Sequence, residues 1–76
     1  MRVKIKTVTP SLEKILVEVK FVLNGVDQFK TYTLTDYSDV GLKRFKEVVR
    51  LDMERMRQLN DRTAELTQLI DVNLDL

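Results

Sequence analysis

The chain has 76 residues, 43% of them apolar, and carries 13 Lys and Arg against 12 Asp and Glu. This length and charge balance predict one small domain, residues 1–76, and exclude a polyanion-coating tail or an acidic disordered chain. Cysteine and histidine are absent, which excludes a disulfide framework, a thiolate zinc site and the commonest general base. We therefore expect no enzymatic activity and no catalytic, cofactor-binding or metal-binding residues.

Basic and apolar side chains alternate over residues 2 to 8. The basic residues are Arg2, Lys4 and Lys6, and Val3 and Ile5 lie between them. This period of two predicts a half-buried strand. Thr9-Pro10-Ser11 follows, and proline cannot donate a hydrogen bond to a neighbouring strand, so we expect the strand to end there.

A second strand is predicted from Ile15 to Leu23, and it ends in Asn24-Gly25. This dipeptide is the strongest short hairpin signal, because a type I′ turn needs positive φ at both central residues. A two-residue loop places Val17 opposite Tyr32, whereas a slip of one residue would place it opposite threonine. The sequence therefore predicts a β-hairpin over about residues 14–35 and an antiparallel sheet over residues 2–35.

The hydrophobic period changes after Thr35, and neither Gly nor Pro occurs between Leu42 and Ile70. Ten heptad positions, seven of them apolar, form a stripe of Leu42, Phe45, Val49, Asp52, Met56, Leu59, Thr63, Leu66, Ile70 and Asn73. This stripe predicts one long amphipathic helix over about residues 38–70. Asp52 is its one carboxylate. We interpret Asp52 as reaching solvent at the margin of the stripe, in preference to a buried charge that fixes register or pairs with an arginine across an interface.

Together these elements predict an α+β fold, in which a three-stranded antiparallel meander is followed by one long C-terminal helix. The predicted core is Val3, Ile5, Ile15, Val17, Val19, Phe21, Tyr32, Leu34, Leu42, Phe45, Val48, Val49 and Met56. In the tail, residues 71–76, apolar Val72, Leu74 and Leu76 alternate with polar residues. This pattern fits a short C-terminal strand, added to the sheet edge of a neighbouring copy, as well as a fraying helix end.

The predicted helix is longer than the sheet that it would cover. A helix of about 30 residues spans roughly 45 Å, and a strand of about eight residues spans roughly 27 Å. Either the helix breaks near Asn60-Asp61 and folds back, or its distal half packs on another chain; we favour the second alternative. The predicted interface is Met56, Leu59, Thr63, Leu66, Leu69 and Ile70.

The outer face of the sheet provides an alternative, nucleic-acid-binding surface. Its predicted residues are Arg2, Lys4, Lys6, Lys20 and Phe29. Basic side chains beside an aromatic ring resemble a platform on which single-stranded bases stack. Lysines on a solvated face, which also protect an edge strand from aggregation, are the commoner explanation.

We therefore expect a cytoplasmic, non-catalytic protein–protein interaction module that acts as an oligomer through its helix. Its expected partners are itself, as a homodimer or higher oligomer, and another protein. No membrane partner is expected, because the longest apolar runs are two or three residues. A hairpin followed by a long helix is common among small viral, phage and bacterial accessory proteins, including inhibitors and assembly components. That analogy extends to the fold and assigns no residue a role.

Overall fold

The computed structural model describes residues 2–75, which form three strands and one helix. Strand β1 is Arg2–Ser11, β2 is Lys14–Leu23, β3 is Val26–Leu34, and helix α1 is Asp39–Thr67. The strands form one antiparallel sheet in the order β1-β2-β3. The predicted α+β fold, a three-stranded meander followed by one long helix, is confirmed.

The turn between β2 and β3 has the geometry that Asn24-Gly25 predicts. Both residues have positive φ, 49° at Asn24 and 78° at Gly25, as a type I′ turn requires. Leu23 pairs with Val26, and Val17 pairs with Tyr32. The predicted hairpin and its register are therefore confirmed.

Gly25→Val should lower the free energy of unfolding by about 1–2 kcal/mol, because a β-branched residue is strained at positive φ. A Cβ at this position would meet no atom within 4 Å, so the loss measures backbone strain alone. Urea denaturation of the variant beside Gly25→Asn tests this, because asparagine tolerates positive φ. Equal stability of the two variants would contradict a type I′ turn.

Thr9-Pro10-Ser11 does not break strand β1 as predicted, because β1 includes these three residues and ends at Ser11. Proline is tolerated there because β1 is an edge strand, which needs hydrogen bonds on one side only. The pairing shifts by one residue between Ile5 and Thr7, which makes Lys6 the extra residue of a β-bulge. After the bulge Val8 pairs with Val17, so Val8 lies on the same face of the sheet as Ile5.

The core lies between α1 and the hairpin of β2 and β3. Of the predicted core residues, Val17, Val19, Phe21, Tyr32 and Leu34 are buried, and Ile15, Phe45, Val49 and Met56 pack against them. Four predictions are wrong, since Val3, Ile5, Leu42 and Val48 are exposed. For Val3 and Ile5 the physical reason is width: a helix about 10–12 Å across covers roughly two strands spaced about 4.8 Å apart. Leu42 and Val48 belong to α1 itself, Leu42 in its first turn and Val48 at the edge of its buried stripe. Helix α1 lies over β2 and β3, and β1 remains uncovered.

Helix α1 begins at a side-chain cap and continues without a break. The Ser38 hydroxyl accepts a hydrogen bond from the Gly41 N–H at 3.2 Å, and the Asp36 carboxylate accepts one from the Ser38 N–H at 3.0 Å. Hydrogen bonds from Ser38 hold the pKa of Asp36 below its ordinary value. Because α1 is continuous to Thr67, the alternative of a break near Asn60-Asp61 is wrong.

The helix ends three residues before the predicted boundary at Ile70. Residues 68–71 form a turn in which Asp71 has a φ of 63°. Residues 72–75 are neither helix nor strand in this single chain, so the short C-terminal strand is not formed within it. Leu76, which also belongs to the predicted tail, lies outside the described residues.

Candidate interaction surfaces

One buried polar cluster fixes α1 on the sheet. Asp52, 7% exposed, accepts hydrogen bonds from the Tyr32 hydroxyl at 2.7 Å and from Lys30 Nζ at 2.8 Å. Arg55 lies 3.8 Å from the other carboxylate oxygen. The prediction that Asp52 reaches solvent is therefore wrong. Asp52 is a buried charge. The three side chains that contact it belong to the same chain.

The cluster shifts the pKa values of both of its buried members. Hydrogen bonds from Lys30 and then from Tyr32 lower the pKa of Asp52, although burial opposes this shift. Burial and the hydrogen bond to Asp52 raise the pKa of Tyr32. The Asp52 carboxylate is thus held ionised and the Tyr32 phenol protonated, so the hydroxyl can donate its hydrogen bond to the carboxylate.

The cluster was missed from the sequence, although a signal for it was present. Lys30 pairs with buried Val19, so Lys30 and Tyr32 lie two residues apart on the inner face of β3. A cation and a phenol there need an acceptor when a helix covers them. Asp52 was the one carboxylate on the stripe of the helix that covers this face.

The distal segment, defined here as residues 61–75, lies beyond the sheet. Leu23 and Asn24, at the turn end of the hairpin, line a surface depression with Arg57, Asn60 and Asp61. The rest of α1 therefore projects past this end, and the described residues extend over 55 Å along their longest axis. Every residue of the distal segment is exposed.

Most of the predicted interface residues lie in the distal segment, and Leu59 lies just before it. Leu59, Leu66 and Ile70 are each about two-thirds exposed, Leu69 is 42% exposed, and Thr63 is exposed. Met56 differs from them, because it packs against the core. The Thr63 hydroxyl donates to the Leu59 carbonyl at 2.7 Å, so Thr63 can enter an apolar interface with its hydroxyl already satisfied.

The outer face of the sheet holds four of the five residues predicted for nucleic-acid binding. Lys4 pairs with Lys20, and Lys20 pairs with Phe29, so these three form one row across the strands. Arg2 belongs to the next row, which ends in Asp27. The bulge displaces Lys6 from this alternation, and Thr7 occupies the row of Glu18 instead.

Comparisons of the chain with protein-family models, curated proteins and solved structures found no match. Within residues 2–75, no helix is long and apolar enough to cross a membrane. Assignment of a function therefore rests on the surfaces described above.

Proposed function

We propose that this protein is a small non-catalytic interaction module that self-associates through the distal part of α1. The observation that carries the proposal is the exposure of Leu59 and Leu66 on a helix that projects beyond its own sheet, and of Ile70 in the turn that follows it. Several exposed large apolar residues on one projecting segment are typical of an interface. Small domains also gain stability by oligomerisation, since their own cores are limited.

As an oligomer, the protein would present its sheets and helix N-termini to a further protein, as an adaptor, inhibitor or assembly component. The residue inventory supports binding rather than catalysis. Without histidine and cysteine, proton transfer or nucleophilic attack would depend on carboxylates, hydroxyls and amines. The buried carboxylate, Asp52, is already engaged by Lys30 and Tyr32.

Sedimentation equilibrium tests the proposal. The wild type should form a dimer or higher oligomer at about 100 µM. At this concentration a dimer with a dimerisation free energy of about 6–8 kcal/mol is already populated. Leu59→Asp/Leu66→Asp should be monomeric at the same concentration, because it places two carboxylates in the interface. Circular dichroism would verify that the variant remains helical.

The matched control is Gln58→Asp/Ala64→Asp, which adds the same charge to the polar side of the same helical segment. This control should associate as the wild type does. A monomeric wild type, or equal association of wild type and Leu59→Asp/Leu66→Asp, would contradict the proposal.

The row formed by Lys4, Lys20 and Phe29 supports a second candidate function, nucleic-acid binding by the outer sheet face. Phosphate contacts give an affinity that falls steeply with salt, whereas an interface of leucine and isoleucine depends little on salt. Fluorescence anisotropy of a labelled single-stranded oligonucleotide, titrated at low and high salt, distinguishes the two. We favour the first function because Asp27 and Glu18 lie in the rows on either side of the Lys4 row.

A further inference from the structure

We infer that α1 of a second copy, antiparallel to the first α1, covers the apolar face of β1. This inference rests on the self-association proposed above and specifies the surface that receives the distal segment. The face consists of Val3, Ile5 and Val8, which pair with the buried or nearly buried residues Phe21, Val19 and Val17 of β2. Their own side chains are 36%, 57% and 59% exposed.

The uncovered apolar face of β1 lies on the same side of the sheet as the core. The bulge at Lys6 contributes directly, because regular alternation from Ile5 would place Val8 on the outer face of the sheet. Three strands span about 10 Å between the axes of the outer two, and one helix covers about two of them. A second helix packed about 8–10 Å from the axis of α1 would therefore lie over β1 and its open edge, against the apolar face.

The length of α1 identifies the occupant. Its first part packs on its own β2 and β3 through Phe45, Val49 and Met56, and its distal part has no sheet beneath it. Under two-fold symmetry, an antiparallel pair of helices places each distal part beside the first part of the other helix. Each overhang then lies over the uncovered β1 of the other copy. A parallel pair would place the two distal parts beside each other, beyond both sheets.

Charge complementarity also favours a second copy of this chain. Residues 2–11 contain Arg2, Lys4 and Lys6 and no acidic residue. Residues 63–75 contain Glu65, Asp71 and Asp75 and no basic residue. The antiparallel arrangement brings the basic strand of one copy close to the acidic end of the other, at both ends of the dimer. Arg2 and Lys4 lie on the outer face of β1, so the attraction acts around the strand edge rather than through direct ion pairs.

Thiol crosslinking tests the arrangement, because the chain has no cysteine and any thiol adduct must come from introduced residues. Ile5→Cys and Leu66→Cys are mixed as separate single variants and treated with a short bifunctional thiol reagent. Both positions are more than half exposed, so each variant should fold. The antiparallel arrangement predicts a crosslinked heterodimer of the two variants.

Thr7→Cys mixed with Leu66→Cys is the matched control, since Thr7 lies on the same strand but pairs with Glu18 on the outer face. The Ile5 mixture should yield severalfold more heterodimer than the Thr7 mixture. Equal yields would overturn the inference. A Leu66-to-Leu66 product that exceeds the heterodimer would also overturn it, because that product indicates a parallel helix pair.

Sedimentation separates failure of the inference from failure of the proposed function. If the wild type is a dimer that Leu59→Asp/Leu66→Asp dissociates, and the Ile5 mixture gives no excess crosslink, the inference alone is wrong. If the wild type is monomeric, both are wrong. Ile5→Asp provides a second measurement, since it should raise the dimer dissociation constant severalfold, whereas Thr7→Asp should leave it nearly unchanged.

Discussion

Replacing Asp52 with alanine should lower the free energy of unfolding by about 2–4 kcal/mol. The substitution leaves the buried Tyr32 hydroxyl without its acceptor and removes the anion that Lys30 contacts. The Lys30 side chain is 48% exposed and can be hydrated again, so the loss should be smaller than for a fully buried pair. Urea denaturation measures it.

Glu47→Ala is the matched control, because Glu47 forms an exposed ion pair with Arg50 on the same helix. Its effect should be small, since exposed pairs contribute little. Comparable losses for the two variants would mean that the Asp52 cluster does not anchor the helix. A variant at Asp52 that also changes the oligomeric state would place the cluster at the interface rather than within the core.

The same cluster predicts how stability depends on pH. The folded state lowers the pKa of Asp52 below its ordinary value of 3.8, so the stabilisation is fully present above that value. It is lost as the pH falls through the lower pKa of the folded state. The stability difference between wild type and Asp52→Asn should therefore shrink below about pH 4. A difference that does not change with pH in this range would contradict the assignment.

Gly41→Ala should destabilise the protein by about 1–3 kcal/mol, a cost typical of forced overpacking. Helix propensity alone predicts the opposite sign, since alanine is favoured over glycine by about 1 kcal/mol inside a helix. Here an added Cβ would come within 2.7 Å of the carbonyl carbon of Asp36. The backbone cannot yield without disturbing the Asp36–Ser38 cap.

Thermal denaturation of Gly41→Ala beside Val40→Ala distinguishes the two effects. Val40 is 60% exposed, so its replacement reports helix propensity with little change in packing. We expect Val40→Ala to be neutral or slightly stabilising and Gly41→Ala to melt at a lower temperature than wild type. An increase in melting temperature for Gly41→Ala would mean that the cap is displaced without cost.

Local signals predicted the hairpin and the helix. Asn24-Gly25 fixes the turn, and the turn fixes every pair along β2 and β3. The helix followed from its apolar period. These features depend on residues that are neighbours in sequence or across one short turn, so one sequence is sufficient to find them.

The errors concern contacts between elements. No local signal specifies which two of three strands a helix covers, so the sequence pattern wrongly predicts Val3 and Ile5 in the core. The bulge at Lys6 does have a sequence signal, because polar Lys6 and Thr7 are adjacent and the apolar positions shift from Val3 and Ile5 to Val8. Interpreting residues 2–8 as one regular alternation overlooks that signal. The contact of Asp52 with Lys30 spans 22 positions and required knowing how α1 crosses β3. The interface residues stay a prediction, because one chain does not test them.

The position of β1 has a consequence for local unfolding. Residues 2–10 are exposed throughout, and β1 is held by its hydrogen bonds to β2 rather than by helix packing. Opening of β1 would leave the hairpin, α1 and the buried core in place, so its amide hydrogens should exchange before those of β2 and β3. Folding can likewise assemble the contiguous segment from β2 to α1 first and add β1 last. In the antiparallel dimer the second helix would cover β1, and the protection of its amides would then rise with protein concentration.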